Sequence, residues 1–137
     1  MEASTQRAFL ALVAAQGAHS IEEYASGLHE VFAPARFVSS WISSNPDLGF
    51  AVLNIAVVAF GVWCYLARVR PSHASAAAWM WPWTLVELGN GGVHSMMVVA
   101  RGGYFPGAVT APILFVLALF LGVRLLRARR VADGAAI

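Results

Sequence analysis

The chain has 137 residues, of which 59% are hydrophobic and only 12% charged. A soluble domain of this length carries about 25% charged residues, so the composition points to one small integral membrane domain, 1–137, with no room for a separate soluble module. Every basic side chain is Arg, which removes Schiff-base lysine chemistry, and the lone Cys64 removes an intramolecular disulfide or a Cys-based zinc site.

Four apolar segments approach the roughly 20 residues that cross a bilayer. The first, 7–26, is the least hydrophobic. It is expected to be retained rather than cleaved as a signal peptide, because the short basic stretch before it also carries Glu2. Residues 27–47 are too polar, and too broken by Pro34 and Pro46, to cross. Phe32, Phe37, Val38, Trp41 and Ile42 suit a short helix lying in the interface. The second span, 48–67, has one polar interruption, Asn54. The third, 76–100, carries Glu87, Asn90 and His94. Trp79, Trp81 and Trp83 at its start fit an aromatic belt, with Pro82 in a first turn. The fourth, 106–126, is the cleanest and ends among Arg124, Arg127, Arg129 and Arg130.

The expected fold class is therefore all-α, a four-helix membrane bundle. Arg7, Arg68, Arg70 and the four C-terminal arginines fall on one side, and Arg36 and Arg101 on the other. That imbalance makes both termini cytoplasmic, in a plasma or inner membrane. The isoelectric point near 9.2 reports this placement and anionic lipid, not nucleic acid.

The chemistry concentrates in His19-Ser20-Ile21-Glu22-Glu23. Ionisable groups inside a span cost about 2.5–3.5 kcal/mol each on insertion scales, so they mark function. Helical spacing sets His19 beside Glu22 (i,i+3) and Glu23 (i,i+4). At about 1.5 Å per residue, His19 lies roughly 10 Å from the outer end of its span, Asn54 about 9 Å and His94 about 10 Å. Asn90 and Glu87 lie deeper, at about 16 and 21 Å. On the third span Glu87, Asn90 or Gly91, and His94 share one stripe. The glycines there leave room for close helix approach or for a ligand. Thr110, about 6 Å into the fourth span, can close the site with a hydroxyl. Tyr104 reads as an interfacial aromatic or a substrate contact. His29 and Glu30 belong to the interface.

The order H-x-x-E-E, then Asn90 and His94 in N-x-x-x-H, then Tyr104, Pro106, Gly107 and Thr110 in Y-x-P-G-x-x-T, resembles the HXXEE-motif family of small membrane proteins. The resemblance runs from about residue 8 to 126. It implies that His19, Glu22, Glu23, Asn90 and His94 form one site, and it names no reaction.

Two imidazoles with two or three carboxylates suit a divalent transition metal: zinc, iron or manganese. The candidate ligands are His19, Glu22, Glu23, His94, Asn90 and Glu87, the last if the site is dinuclear. Neighbouring residues point about 100° apart on a helix, so Glu22 and Glu23 cannot both face one ion equally. One is expected to bind and the other to orient a histidine. The chain then reads as a metal-dependent enzyme, with Glu22, Glu23, His19 and His94 catalytic and Asn54, Tyr104 and Thr110 around the substrate. That substrate is a small lipophilic or amphipathic molecule entering from the bilayer, and a homo-oligomer is compatible with the sequence. Three other readings compete: a metal-free acid–base isomerase or cyclase of a lipid-like substrate, using a buried carboxyl; a non-enzymatic transporter with an ion path, or an assembly subunit; and a polar core that only joins helices. The apolar inner half disfavours a path. Modest gains of about 0.6 kcal/mol per polar contact disfavour a purely structural core.

Overall fold

The computed structural model describes residues 1–134, with side chains through residue 131. Among the described residues all regular structure is helical: α1 (Ala3–Ala25), α2 (Leu28–Val31), α3 (Ala33–Ser40), α4 (Pro46–Cys64), α5 (Ala76–Arg101) and α6 (Ala111–Gly134). A π-helical turn, Tyr65–Val69, extends α4. The stretch between the first two long helices thus forms two short helices rather than one.

Local chemistry explains the boundaries. Asn45 caps α4 by accepting the Leu48 N–H at 3.0 Å, and Pro46 follows in the first turn, where no N–H is needed. Helix α6 starts at Ala111, five residues later than the hydropathy pattern suggests, because Pro106 and Gly107 shape a turn and Gly107 has φ +86°. Pro82 sits in the second turn of α5, not the first. Its ring leaves the Ala78 carbonyl without the usual helical donor.

Helix α5 lies along α6, while α1 packs against both α6 and α4, and α3 packs on α4. Phe9, Leu12, Met80, Leu114 and Leu121 are fully buried at the centre. Trp83 joins them, edge-on to Phe9 at 6.0 Å and stacked on Phe60. It is a core residue, not a belt residue, because helix rotation turns it inward.

Several polar groups are buried while many apolar side chains face outward. On α5, Thr84, Glu87 and His94 are buried while Leu85, Val86, Met96 and Val99 are exposed. On α6, Val116, Leu119 and Phe120 are exposed. Two helical stretches, Pro46–Val69 and Ala111–Val131, are long and apolar enough to cross a membrane. At the end holding the N-terminus, Arg124 donates to Thr5 Oγ1 at 3.1 Å and pairs with Glu2. Gln6 Nε2 donates to the Val69 carbonyl at 3.0 Å. The H-x-x-E-E stretch lies at the other end of α1.

Candidate metal centre

The last two turns of α1 carry His19 and Glu23 one turn apart, and α5 brings His94 against them. The two imidazoles meet edge to face, with centroids 4.7 Å apart and planes at 78°. Oε1 of Glu23 lies 3.1 Å from Nε2 of His19 and 3.1 Å from Nε2 of His94. All three side chains are buried.

The hydrogen bonds behind the rings assign their tautomers. Nδ1 of His94 is 2.6 Å from the Pro106 carbonyl, an acceptor only, so Nδ1 carries the proton. Thr110 Oγ1 donates to Glu22 Oε2 at 2.6 Å. That uses its single proton, so its 2.7 Å contact with His19 Nδ1 must be donated by the imidazole. In the neutral rings both Nε2 atoms are then bare lone pairs, and both face one carboxylate oxygen. The Nε2 of His19 is buried without a well-aligned hydrogen bond despite its 3.1 Å approach to Glu23. Three electron-rich atoms converge, and a proton or a metal ion between them would offset their repulsion.

Glu22 does not join that cluster. It accepts from the Thr110 hydroxyl and N–H, from the Val109 N–H at 3.0 Å, and from the Tyr104 hydroxyl at 3.0 Å. A carboxylate at the carbonyl end of α1 is unfavourable by itself, and the entrance of α6 compensates it. Glu22 thus fixes Thr110, and Thr110 fixes His19. Tyr104, more than half exposed, holds Glu22 rather than reaching the rings.

Gly107 closes the arrangement. A Cβ there would lie 2.6 Å from His19 Cε1 and 2.6 Å from His94 Nδ1, so only glycine lets the turn pass behind both rings. Gly91 does the same between helices: a Cβ would lie 2.7 Å from the Ala111 carbonyl oxygen. This brings α5 against the start of α6. Phe105, fully buried, covers His94 at a centroid distance of 5.3 Å.

The remaining candidates fall elsewhere. Asn90 donates to Gln16 Oε1 at 3.4 Å, and Gln16 donates to Ser20 Oγ at 3.1 Å. Gln16, 4% exposed, is a buried partner that the sequence reading missed; its i,i+4 spacing to Ser20 was the available signal. Glu87 is 1% exposed and neither carboxylate oxygen makes a well-formed hydrogen bond. Its carboxylate is not among the His19, Glu23 and His94 ligand atoms that lie within 4.8 Å of one another. The expectation that Asn54 lines the same cavity as the histidines is corrected: its amide donates to the Phe50 carbonyl at 3.0 Å, and it faces a groove between α1 and α4. Depth along a helix fixed its level but not the direction around the axis. His29 and Glu30 gather with Asp47 in a second group.

Ligand atoms of His19, Glu23 and His94 lie within 4.8 Å of one another. Tetrahedral zinc with ligands at about 2.0–2.1 Å separates them by roughly 3.3 Å, close to the two 3.1 Å spacings observed. Two imidazoles and one carboxylate are a donor set of catalytic zinc and of non-haem iron. Each Nδ1–H donates to an oxygen, the Pro106 carbonyl for His94 and Thr110 Oγ1 for His19, which completes the usual surroundings of such a site.

No curated protein and no solved structure shows a significant match to the chain. The family described as protein of unknown function with HXXEE motif matches residues 10–121, a stretch that holds every residue of the His19–Glu22–Glu23–His94–Thr110 constellation. The chain belongs to this HXXEE-motif family.

Proposed function

We propose that the protein is an integral membrane enzyme whose four long helices span the bilayer as a bundle, with cytoplasmic termini and a divalent transition metal held by His19, His94 and Glu23. The membrane placement is supported by the inside-out distribution of side chains: Glu87 and His94 are buried while Leu85, Val86, Met96 and Val99 on the same helix are exposed. The arginine asymmetry supports the orientation. The single observation that carries the metal is the pair of Nε2 lone pairs turned on one Glu23 oxygen, each imidazole pinned from behind through Nδ1.

Zinc in such a site supplies Lewis acidity, and iron or manganese supplies redox chemistry. The chain itself supplies the rest. Thr110 and the Pro106 carbonyl hold the imidazoles in one tautomer, Glu22 holds Thr110, and Phe105 keeps water from His94. A small lipophilic or amphipathic substrate suits a buried site set toward the C-terminal end of α1 among apolar helix surfaces. One ion is favoured over two, because Glu87 lies outside the group. A proton between Glu23 Oε1 and one Nε2 would satisfy one of the two 3.1 Å contacts, which keeps metal-free acid–base catalysis as the rival.

Elemental analysis of protein purified without chelator separates the two. The metal reading expects about one zinc, iron or manganese per chain, lost in His19→Ala and in His94→Ala. Turnover that survives with no stoichiometric metal would replace it with the acid–base reading.

A further inference from the structure

The face of α1 turned away from the metal site carries two adjoining openings. At the outer end a cavity of about 440 Å³ is walled by Ser26, Gly27, His29, Glu30 and Asp47. Below it a groove of about 600 Å³ runs down the seam between α1 and α4, walled by Gly17, Ile21, Ala51, Ile55 and Val58. Tyr24 and Ala25 line both. Gly17, Ile21 and Tyr24 recur at i, i+4 and i+7, one stripe of the helix.

The two openings differ in chemistry. The groove is apolar: its one amide, on Asn54, is turned back on the Phe50 carbonyl. The cavity holds two carboxylates, no arginine lines it, and His29 is the one basic side chain in its wall. His29 is 3% exposed and bonds Asp47 Oδ1 through Nε2 at 2.7 Å. Its ring is stacked on Tyr24 with centroids 6.3 Å apart and lies tilted against Phe50 at 5.0 Å. Its Nδ1 is buried without a hydrogen-bond partner. An acidic, aromatic-walled cavity attracts a cation through carboxylates and ring faces. An apolar slot directly beneath it takes a hydrocarbon.

We propose that the cavity and groove together seat a single-chain amphiphile with a cationic amine head, its ammonium between Glu30 and Asp47 beside Tyr24 and its tail along the α1–α4 seam. A phosphate-bearing head is disfavoured, because it would meet two carboxylates and no arginine. The seat rests on the membrane placement proposed above but not on the metal, since it uses the opposite face of α1. A divalent ion held by His29, Glu30 and Asp47 is the competing occupant, and it leaves the groove below unexplained.

The test uses the full chain in uncharged detergent and a long-chain primary alkylamine bearing a mid-chain nitroxide, read by the immobilised fraction of its spin spectrum. Saturable immobilisation is expected, with the alcohol and the sulfate of the same chain binding about tenfold more weakly or worse. That factor corresponds to the loss of one charge-assisted contact. Glu30→Gln combined with Asp47→Asn brings the amine to the level of the alcohol. Ala51→Phe, which fills the groove, releases the label. His94→Ala leaves binding unchanged, so failure of the metal site and failure of this seat are told apart. Equal binding of amine, alcohol and sulfate overturns the proposal, as does a label still immobilised in Ala51→Phe. Displacement of the amine by stoichiometric zinc, abolished in His29→Ala, assigns the cavity to an ion and overturns it too.

Discussion

Thr110 and His19 are hydrogen-bonded across 91 residues of chain, Oγ1 to Nδ1 at 2.7 Å, while the same hydroxyl donates to Glu22 at 2.6 Å. The first Glu of the motif therefore acts on the first His through a residue on the far side of the sequence. Glu23 is left as the carboxylate that faces both rings.

Removing that link tests it. Thr110→Val keeps the volume but frees His19 Nδ1, and metal affinity should fall by roughly 10–100-fold, the range for partners behind a ligand. Thr110→Ser should retain most of the affinity. Competition titration against a chelating dye reads both, and equal affinity for the valine and serine variants would remove Thr110 from the site.

Gly107→Ala should be far more harmful than its size suggests. The new methyl would meet both imidazoles at 2.6 Å, in a backbone conformation that L residues rarely adopt. Loss of metal and a drop in thermal stability are both expected. Gly103→Ala is the control, since nothing lies within 4 Å of its added Cβ. Matching melting curves and metal contents for the two variants would contradict the packing described.

Much of this was legible in the sequence, for physical reasons. Apolar run length located the four long helices, and α5 was placed almost to the residue. The i,i+4 rule paired His19 with Glu23, and shared depth paired His19 with His94. What periodicity could not give was rotation about each axis. Asn54 sat at the right level on the wrong face, and Trp83 turned into the core. Nor could composition show which Glu faces the rings. That depends on the turn at Pro106 and Gly107, which brings Thr110 to Glu22 from another helix.

The close approach of α5 to α6 gives a stability prediction. Gly91→Leu places bulk where even a Cβ would lie 2.7 Å from the Ala111 carbonyl oxygen and 2.9 Å from Phe115. A cost of about 1–3 kcal/mol is typical of such overpacking. Gly89→Leu, whose Cβ meets nothing within 4 Å, should be nearly neutral. Unfolding in mixed micelles compares them, and equal stability would contradict the packing.

Topology is tested by reporters at both ends. The positive-inside distribution of Arg predicts that tags before Met1 and after Ile137 are reached only from the cytoplasm. A C-terminal reporter active only on the outer side would invert the bundle and place the metal site near the cytoplasmic face.

A metal held by the two Nε2 atoms would compete with protons for their lone pairs, so acidification should weaken binding and binding should release protons. The most direct measurement of the central claim is X-ray absorption at the zinc edge of protein loaded with one equivalent of zinc. The account predicts two imidazole nitrogens with oxygen donors around the ion, and one imidazole in His94→Ala. Zinc bound without imidazole, or no zinc retained at all, would contradict it.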